Sequence, residues 1–153
     1  MRGNKSPLFK RLPHVLCVDE SNSDRSQMAE GYLHTFASTL LDVQSAGMQH
    51  HGLSRIAVQV MQEDGVDIRR HSDELISRDL LLWADLIITI SGPSEAVHLP
   101  IPSSAVEKRW LIAPPAVTGD ADPVIAYRHT RDEIKRRVQQ LVNALKLSRG
   151  NAA

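Results

Sequence analysis

The sequence predicts an α/β protein in which a parallel sheet carries helices on both faces. Two observations point to that class. Short apolar runs alternate with stretches of helical spacing along the 153 residues, the order expected of repeated strand–helix–strand units. The runs HVLCV (14–18) and DLIITI (85–90) are almost continuously apolar, as suits strands covered on both faces. In such folds ligands bind beyond the carboxyl ends of the strands. The loop at 19–25 follows the first strand and is therefore where a site is expected.

The elements follow in order. His14 to Val18 reads as the first strand. From Ser26 the spacing turns helical, with Met28, Leu33, Phe36, Ala37 and Leu40 near one side. Val43 to Ser45 predicts a second strand closed by Gly47, and Ser54 to Glu63 a helix whose apolar face holds Ile56, Val60 and Met61. Leu75 to Trp83 predicts a third helix, and Asp85 to Ile90 a strand rich in β-branched residues. A fourth strand is expected at Arg109 to Ile112, before Pro114-Pro115. In the last helix Asp122 caps, Pro123 takes the first turn, and Tyr127, Ile134, Val138, Leu141 and Leu145 keep helical spacing.

Composition narrows the function. Apolar residues make up 42% and charged residues 24%, ordinary for a globular domain. Eighteen basic and eighteen acidic side chains cancel, so no global field favours nucleic acid or an anionic membrane. No apolar stretch is long enough to span a bilayer. A single cysteine precludes an internal disulfide and fits a cytoplasmic protein. Residues 1–12, with Arg2, Lys5, Lys10 and Arg11 and no acid, read as a flexible basic tail, and 13–148 as one domain. The apolar run behind the tail is too short for a signal peptide.

The stretch DESNSDRSQMAE at 19–30 carries the chemistry. A loop between a strand and a helix N-terminus turns several backbone N–H groups toward one point, where the helix dipole adds positive potential. The oxyanion loop comprises Glu20, Ser21, Asn22, Ser23, Asp24 and Arg25. Arg25 offers a planar fork of donors, and Ser26 is placed to cap the helix or to bond a nucleophile.

This chain resembles the thioredoxin-coupled arsenate reductases and the low-molecular-weight protein tyrosine phosphatase family they belong to. The resemblance lies in NSDRSQMAEG (22–31), SAG (45–47), AVQVMQEDGVDI (57–68), His71, DLIITISG (85–92) and YRHTRDEI (127–134). It implies a four-stranded parallel sheet of Rossmann-like build and a Cys-x5-Arg loop whose cysteine attacks and whose arginine holds the oxyanion. It places Asp19 at the nucleophile position and Arg25 at the oxyanion arginine. Asn22, Ser26, Ser45 and His71 fall where loop-supporting residues stand. Ser91 and His98 fall at the two relay cysteines, and Pro114-Pro115 at the general-acid dipeptide. The implied protein keeps the scaffold and lacks the redox and nucleophilic groups.

Asp19 is then expected to act as an internal ligand, accepting hydrogen bonds from loop N–H groups and from Arg25, bonds that favour its ionised form. It weakens oxyanion binding at neutral pH and leaves a binding or regulatory role toward a protein partner. The rival expectation is a phosphatase using Asp19 as nucleophile with Mg²⁺ held by Asp24 and Glu20, and Asp122 as acid. Asp122 otherwise serves only as the helix cap. The resemblance also implies a K⁺ site at Asn22, Glu30, Ser45 and Glu74, or an ordinary hydrogen-bond cluster there. Cys17 is expected as a buried hydrophobe. His50 and His51 are expected to be exposed, with no transition-metal site, and Trp83 and Trp110 to pack in the core.

Overall fold

The computed structural model describes residues 11–151; most of the basic tail, residues 1–10, lies outside them. In chain order the elements are β1 His14–Asp19, α1 Arg25–Ala37, β2 Asp42–Gly47, α2 Arg55–Glu63, α3 Arg78–Trp83, β3 Leu86–Ser91, β4 Val106–Leu111 and α4 Pro123–Asn151. The four strands form one parallel sheet in the order β2-β1-β3-β4. All their carboxyl ends, and the loops that follow them, therefore lie at one end of the sheet.

Alternate residues of the central strands face opposite cores, as the period of two requires. Val15, Cys17, Ile88 and Ile90 pack with α1, α2 and α4, around Tyr32, Met61, Ile134 and Val138. Leu16, Val18 and Ile87 pack with Leu81, Ala84 and Val97 on the other side. That second face is covered by one short helix and an irregular segment. Each fully buried aliphatic side chain contributes about 1.5–3 kcal/mol relative to exposure.

Three boundaries differ from expectation. β4 begins at Val106, three residues early, because Glu107, Lys108 and Arg109 lie on a largely exposed edge strand and hide its apolar pattern. α3 begins at Arg78, capped by the Ser77 side chain accepting from the Leu80 N–H. Leu75 instead bridges to Gly47, whose N–H donates to the Glu74 carbonyl at 2.8 Å. α1 is capped by Asp24, whose carboxylate accepts from the Arg25 N–H, and not by Ser26. Of the residues expected in the basic tail, Arg11 and Leu12 are described. Arg11 makes a two-pronged pair with Asp85 at 2.7 and 3.0 Å, and Asp85 accepts from the His14 N–H as well.

The tryptophans pack as expected: Trp83 stacks on His14 with ring centroids 4.3 Å apart, and Trp110 is buried. Asp122 accepts from the Val124 N–H at 3.0 Å and so caps α4. At the end of β2, a side chain on Gly47 would place its Cβ 2.5 Å from the Asn22 nitrogen and 2.6 Å from the Ser21 carbonyl carbon. Only glycine lets β2 approach the loop that closely. Gly47→Ala is expected to lose about 1–3 kcal/mol of stability and to shift the amide resonances of residues 20–26, as read by urea unfolding and NMR. Unchanged stability with unmoved loop amides contradicts this packing.

Candidate functional site

The site is built where β1 gives way to α1. Asp19 is the last residue of the strand and is fully buried. Its Oδ1 accepts from the Asn22 N–H at 2.6 Å and its Oδ2 from the Ser26 N–H at 2.9 Å. Asn22 turns its N–H inward because its φ is +52°, a left-handed conformation that asparagine tolerates better than most residues. The loop thus makes a small nest of donors closed around a carboxylate that belongs to the chain.

A hydrogen-bond network holds Asn22 in that conformation. Its Nδ2 donates to Ser26 Oγ at 2.8 Å and to Ser45 Oγ at 2.9 Å. Its Oδ1 accepts from the Glu74 N–H at 2.8 Å and from Gln27 Nε2 at 3.1 Å. Ser45 donates to Glu30, and Gln27 Oε1 lies 2.9 Å from His71 Nδ1. That contact makes Nδ1 the protonated ring nitrogen, since Gln27 offers an acceptor there. Asn22, Ser26, Ser45 and His71 are therefore brought together as expected. The four oxygens considered for K⁺ meet two different fates. Asn22, Glu30 and Ser45 are occupied by these hydrogen bonds, whereas the Glu74 side chain is exposed.

Arg25 departs from expectation. Its guanidinium, 3% exposed, does not donate to Asp19. Nη1 and Nη2 reach the two oxygens of Glu95 at 2.6 and 2.7 Å, and Nη1 also donates to the Ile112 carbonyl at 2.9 Å. Among the described residues Nε finds no hydrogen-bond partner; Asp24 Oδ1 lies 3.7 Å away. Glu95 reaches Arg25 because the turn after β3 doubles back, its carboxylate accepting from the Gly92 N–H at 2.7 Å. A planar carboxylate satisfies the planar fork in two parallel bonds. Among the described residues, Asp19 has only its two loop N–H donors.

Charge follows geometry. Burial, reinforced by the charge of Asp24, pushes the Asp19 carboxyl above the usual range, outweighing the Ser26 and Asn22 N–H groups and the Arg25 charge that pull it down. This corrects the expectation that the hydrogen bonds decide its ionisation. Glu95 moves the opposite way, held low first by its bonds to Arg25. For Arg25 itself burial opposes the charge, but Glu95 and Asp19 prevail and push it further up. The shallow cleft above the loop, about 250 Å³, is lined by Glu20, Asp24, Glu95, Arg25, His51 and Pro114 among others. Three carboxylates and one arginine leave its mouth acidic.

The remaining candidates are dispersed. His98 lines an apolar groove beside Ile76 and Leu81, not the cleft. Ser91 ends β3. Cys17 is buried within β1, where burial first, then the charges of Glu30 and Asp19, push its thiol well up. His50 pairs with Asp73 at 2.8 Å on the surface. Among the described residues, no three His, Cys, Asp or Glu side chains are grouped to hold a metal ion, and no helix is long and apolar enough to cross a membrane. The reading of residues passed over Glu95 and Gln27. The available signal for Glu95 was its place just after β3, at the same end of the sheet as the loop.

A four-stranded parallel α/β sheet whose first strand–loop–helix turn forms a nest of amides beside a buried arginine defines the class of this protein. The low molecular weight phosphotyrosine protein phosphatase model matches residues 14–150, and the chain belongs to that family. An arsenate reductase of Halalkalibacterium halodurans is 36% identical over 132 residues, covering 85% of this chain and 94% of that protein. An arsenate reductase solved in the phosphate binding state superposes with a TM-score of 0.72 at 27% identity, covering 88% of this chain and 99% of the other. An arginine phosphatase from Geobacillus stearothermophilus shares the fold, with a TM-score of 0.74 at 20% identity over 92% of this chain and 97% of its own.

The opposite shifts of Asp19 and Glu95 have opposite linkage signs. A carboxyl whose pKa is raised by folding binds its proton more tightly when folded, so Asp19 lowers stability as pH rises through that interval. Glu95, depressed by folding, contributes stability at higher pH that is lost as pH falls through its folded pKa. Carboxyl-carbon NMR titration of the folded chain is expected to show Asp19 titrating above an ordinary aspartate and Glu95 below an ordinary glutamate. A displacement of either group in the opposite direction contradicts these assignments.

Proposed function

We propose that this chain is a catalytically degenerate member of its family, in which Asp19 stands where the nucleophilic cysteine is expected. Its oxyanion loop is ligated by the chain's own carboxylates, and it serves by binding or regulation and not by turnover. The observation that carries this reading is the double occupation of the receptor. Asp19 takes the Asn22 and Ser26 N–H groups, and Glu95 takes the fork of Arg25.

An oxyanion entering the loop meets carboxylates where it needs donors. Two unit charges about 4 Å apart repel by roughly 4 kcal/mol at an effective dielectric near 20, nearly a thousandfold in affinity. The repulsion acts in full only where the carboxylates are ionised. Glu95, held low by Arg25, is ionised at neutral pH. Asp19 has both oxygens committed to backbone donors and no exposed surface, which disfavours its use as a nucleophile. Cys17 cannot replace it, because the buried thiol points into the core between sheet and helices. The network around Asn22 gives the loop its shape without a bound anion, consistent with a retained scaffold.

The test is hydrolysis of an aryl phosphate by the wild-type chain beside Asp19→Ala, with and without Mg²⁺. No turnover above background is expected in either. Wild-type turnover that disappears in Asp19→Ala overturns the reading and makes Asp19 a working nucleophile.

A further inference from the structure

The two edges of the sheet are finished differently. At the β2 edge the chain doubles back: the Gly47 N–H donates to the Glu74 carbonyl, and the Gly47 carbonyl accepts from Ile76 at 2.9 Å. The β4 edge has no such cover among the described residues. Val106 and Ile112 direct their N–H groups to Asp85 and Ser91 in the β3 segment. By strand alternation the N–H and C=O groups of Glu107, Arg109 and Leu111 then point away from the sheet. Bare edges of this kind are templates for an added strand, and natural proteins usually blunt them.

The surroundings of this edge say what would fit it. Val106 and Leu111, at its two ends, are 64% and 66% exposed. Between β4 and α4 lies a pocket of about 310 Å³, floored by Trp110 and Leu141 and lined by Lys108, Arg109 and Arg137, with no carboxylate in its wall. Arg109 and Arg137 have loose partners, Glu107 and Glu133, each at 3.4 Å. Lys108 has no carboxylate within 4.0 Å among the described residues. Side chains of an added strand alternate, so every second one would enter this cationic pocket.

We infer that β4 is a docking edge for an extended acidic segment of a partner protein, which pairs with the outward backbone groups of Glu107, Arg109 and Leu111 and places a carboxylate between Lys108 and Arg137, the cations on the α4 face of the strand. Main-chain bonds supply affinity in this mode and side-chain pockets supply specificity. A second copy of this chain is the poorer occupant. Antiparallel pairing of β4 with itself about Lys108 or about Arg109 sets that cation opposite its own copy, which is destabilising, and brings no carboxylate to the α4 face where Lys108 and Arg137 lie. This inference stands apart from the reading of the oxyanion loop, since the edge lies on the flank of the sheet.

The experiment titrates the full chain with two capped hexapeptides, one alternating valine and glutamate, the other valine and lysine, followed by amide NMR and hydrogen exchange. The acidic peptide is expected to bind at least about tenfold more tightly, and to slow exchange at Glu107, Arg109 and Leu111. Lys108→Glu is expected to abolish that preference. Glu107→Pro removes one outward N–H while keeping the backbone bonds to β3 and both pocket cations, Lys108 and Arg137, at the loss of the Thr89 Oγ1 bond to the Glu107 carboxylate, and is expected to weaken binding by about tenfold or more. Sedimentation checks for self-association. Equal binding of the two peptides, no binding of either at millimolar concentration, binding unaffected by Glu107→Pro in a folded variant, or concentration-dependent dimers that protect the edge would each overturn the inference.

Discussion

The arrangement depends on one buried carboxylate and the two backbone amides that hold it. Asp19 ends β1 at the point where the strand must hand over to α1, and its oxygens fasten Asn22 and Ser26 across that junction. A buried carboxyl without such bonds is costly, so strand, loop and helix are mutually conditional. The left-handed turn at Asn22 aims its N–H at Asp19, Gly47 leaves room for that turn, and Ser45 and Glu74 hold the side chain in place.

A second carboxylate completes the closure from another part of the chain. Glu95 folds back from the end of β3 and engages both outer nitrogens of Arg25, while the Ile112 carbonyl takes a further bond. The arginine is thus tied to the segments after β3 and β4, and the loop to β1 and β2. Acceptors from all four parallel strands, or from the turns just beyond them, converge at one end of the sheet. An arsenate reductase solved in the phosphate binding state shares this fold at 27% identity, and another arsenate reductase is 36% identical over 132 residues. In this chain the Asn22 and Ser26 N–H groups donate to Asp19, and the Arg25 fork donates to Glu95.

Much of this was legible in the residues and some of it was not. The apolar runs of β1 and β3 and the capped start of α4 announced a parallel α/β sheet, and the 19–25 loop announced its site. Asn22, Ser26, Ser45 and His71 were named as a supporting set and do form one network. The start of β4 was placed three residues late because an edge strand keeps polar residues that a buried strand would exclude. The direction of Arg25 was misjudged for a different reason. Its partner lies 70 residues away, and only tertiary closure decides which of several carboxylates reaches the fork. The ionisation of Asp19 likewise depends on complete burial, a quantity that the loop sequence does not carry.

The central claim is that the loop is closed to external oxyanions by the chain's own carboxylates. Titration of the wild-type chain with inorganic phosphate at neutral pH, followed through the Asn22, Arg25 and Ser26 amide resonances, tests it most directly. The account predicts no saturable shift up to tens of millimolar phosphate. A saturable shift of these amides at lower concentration would mean that Asp19 and Glu95 yield to the anion, and would contradict the claim.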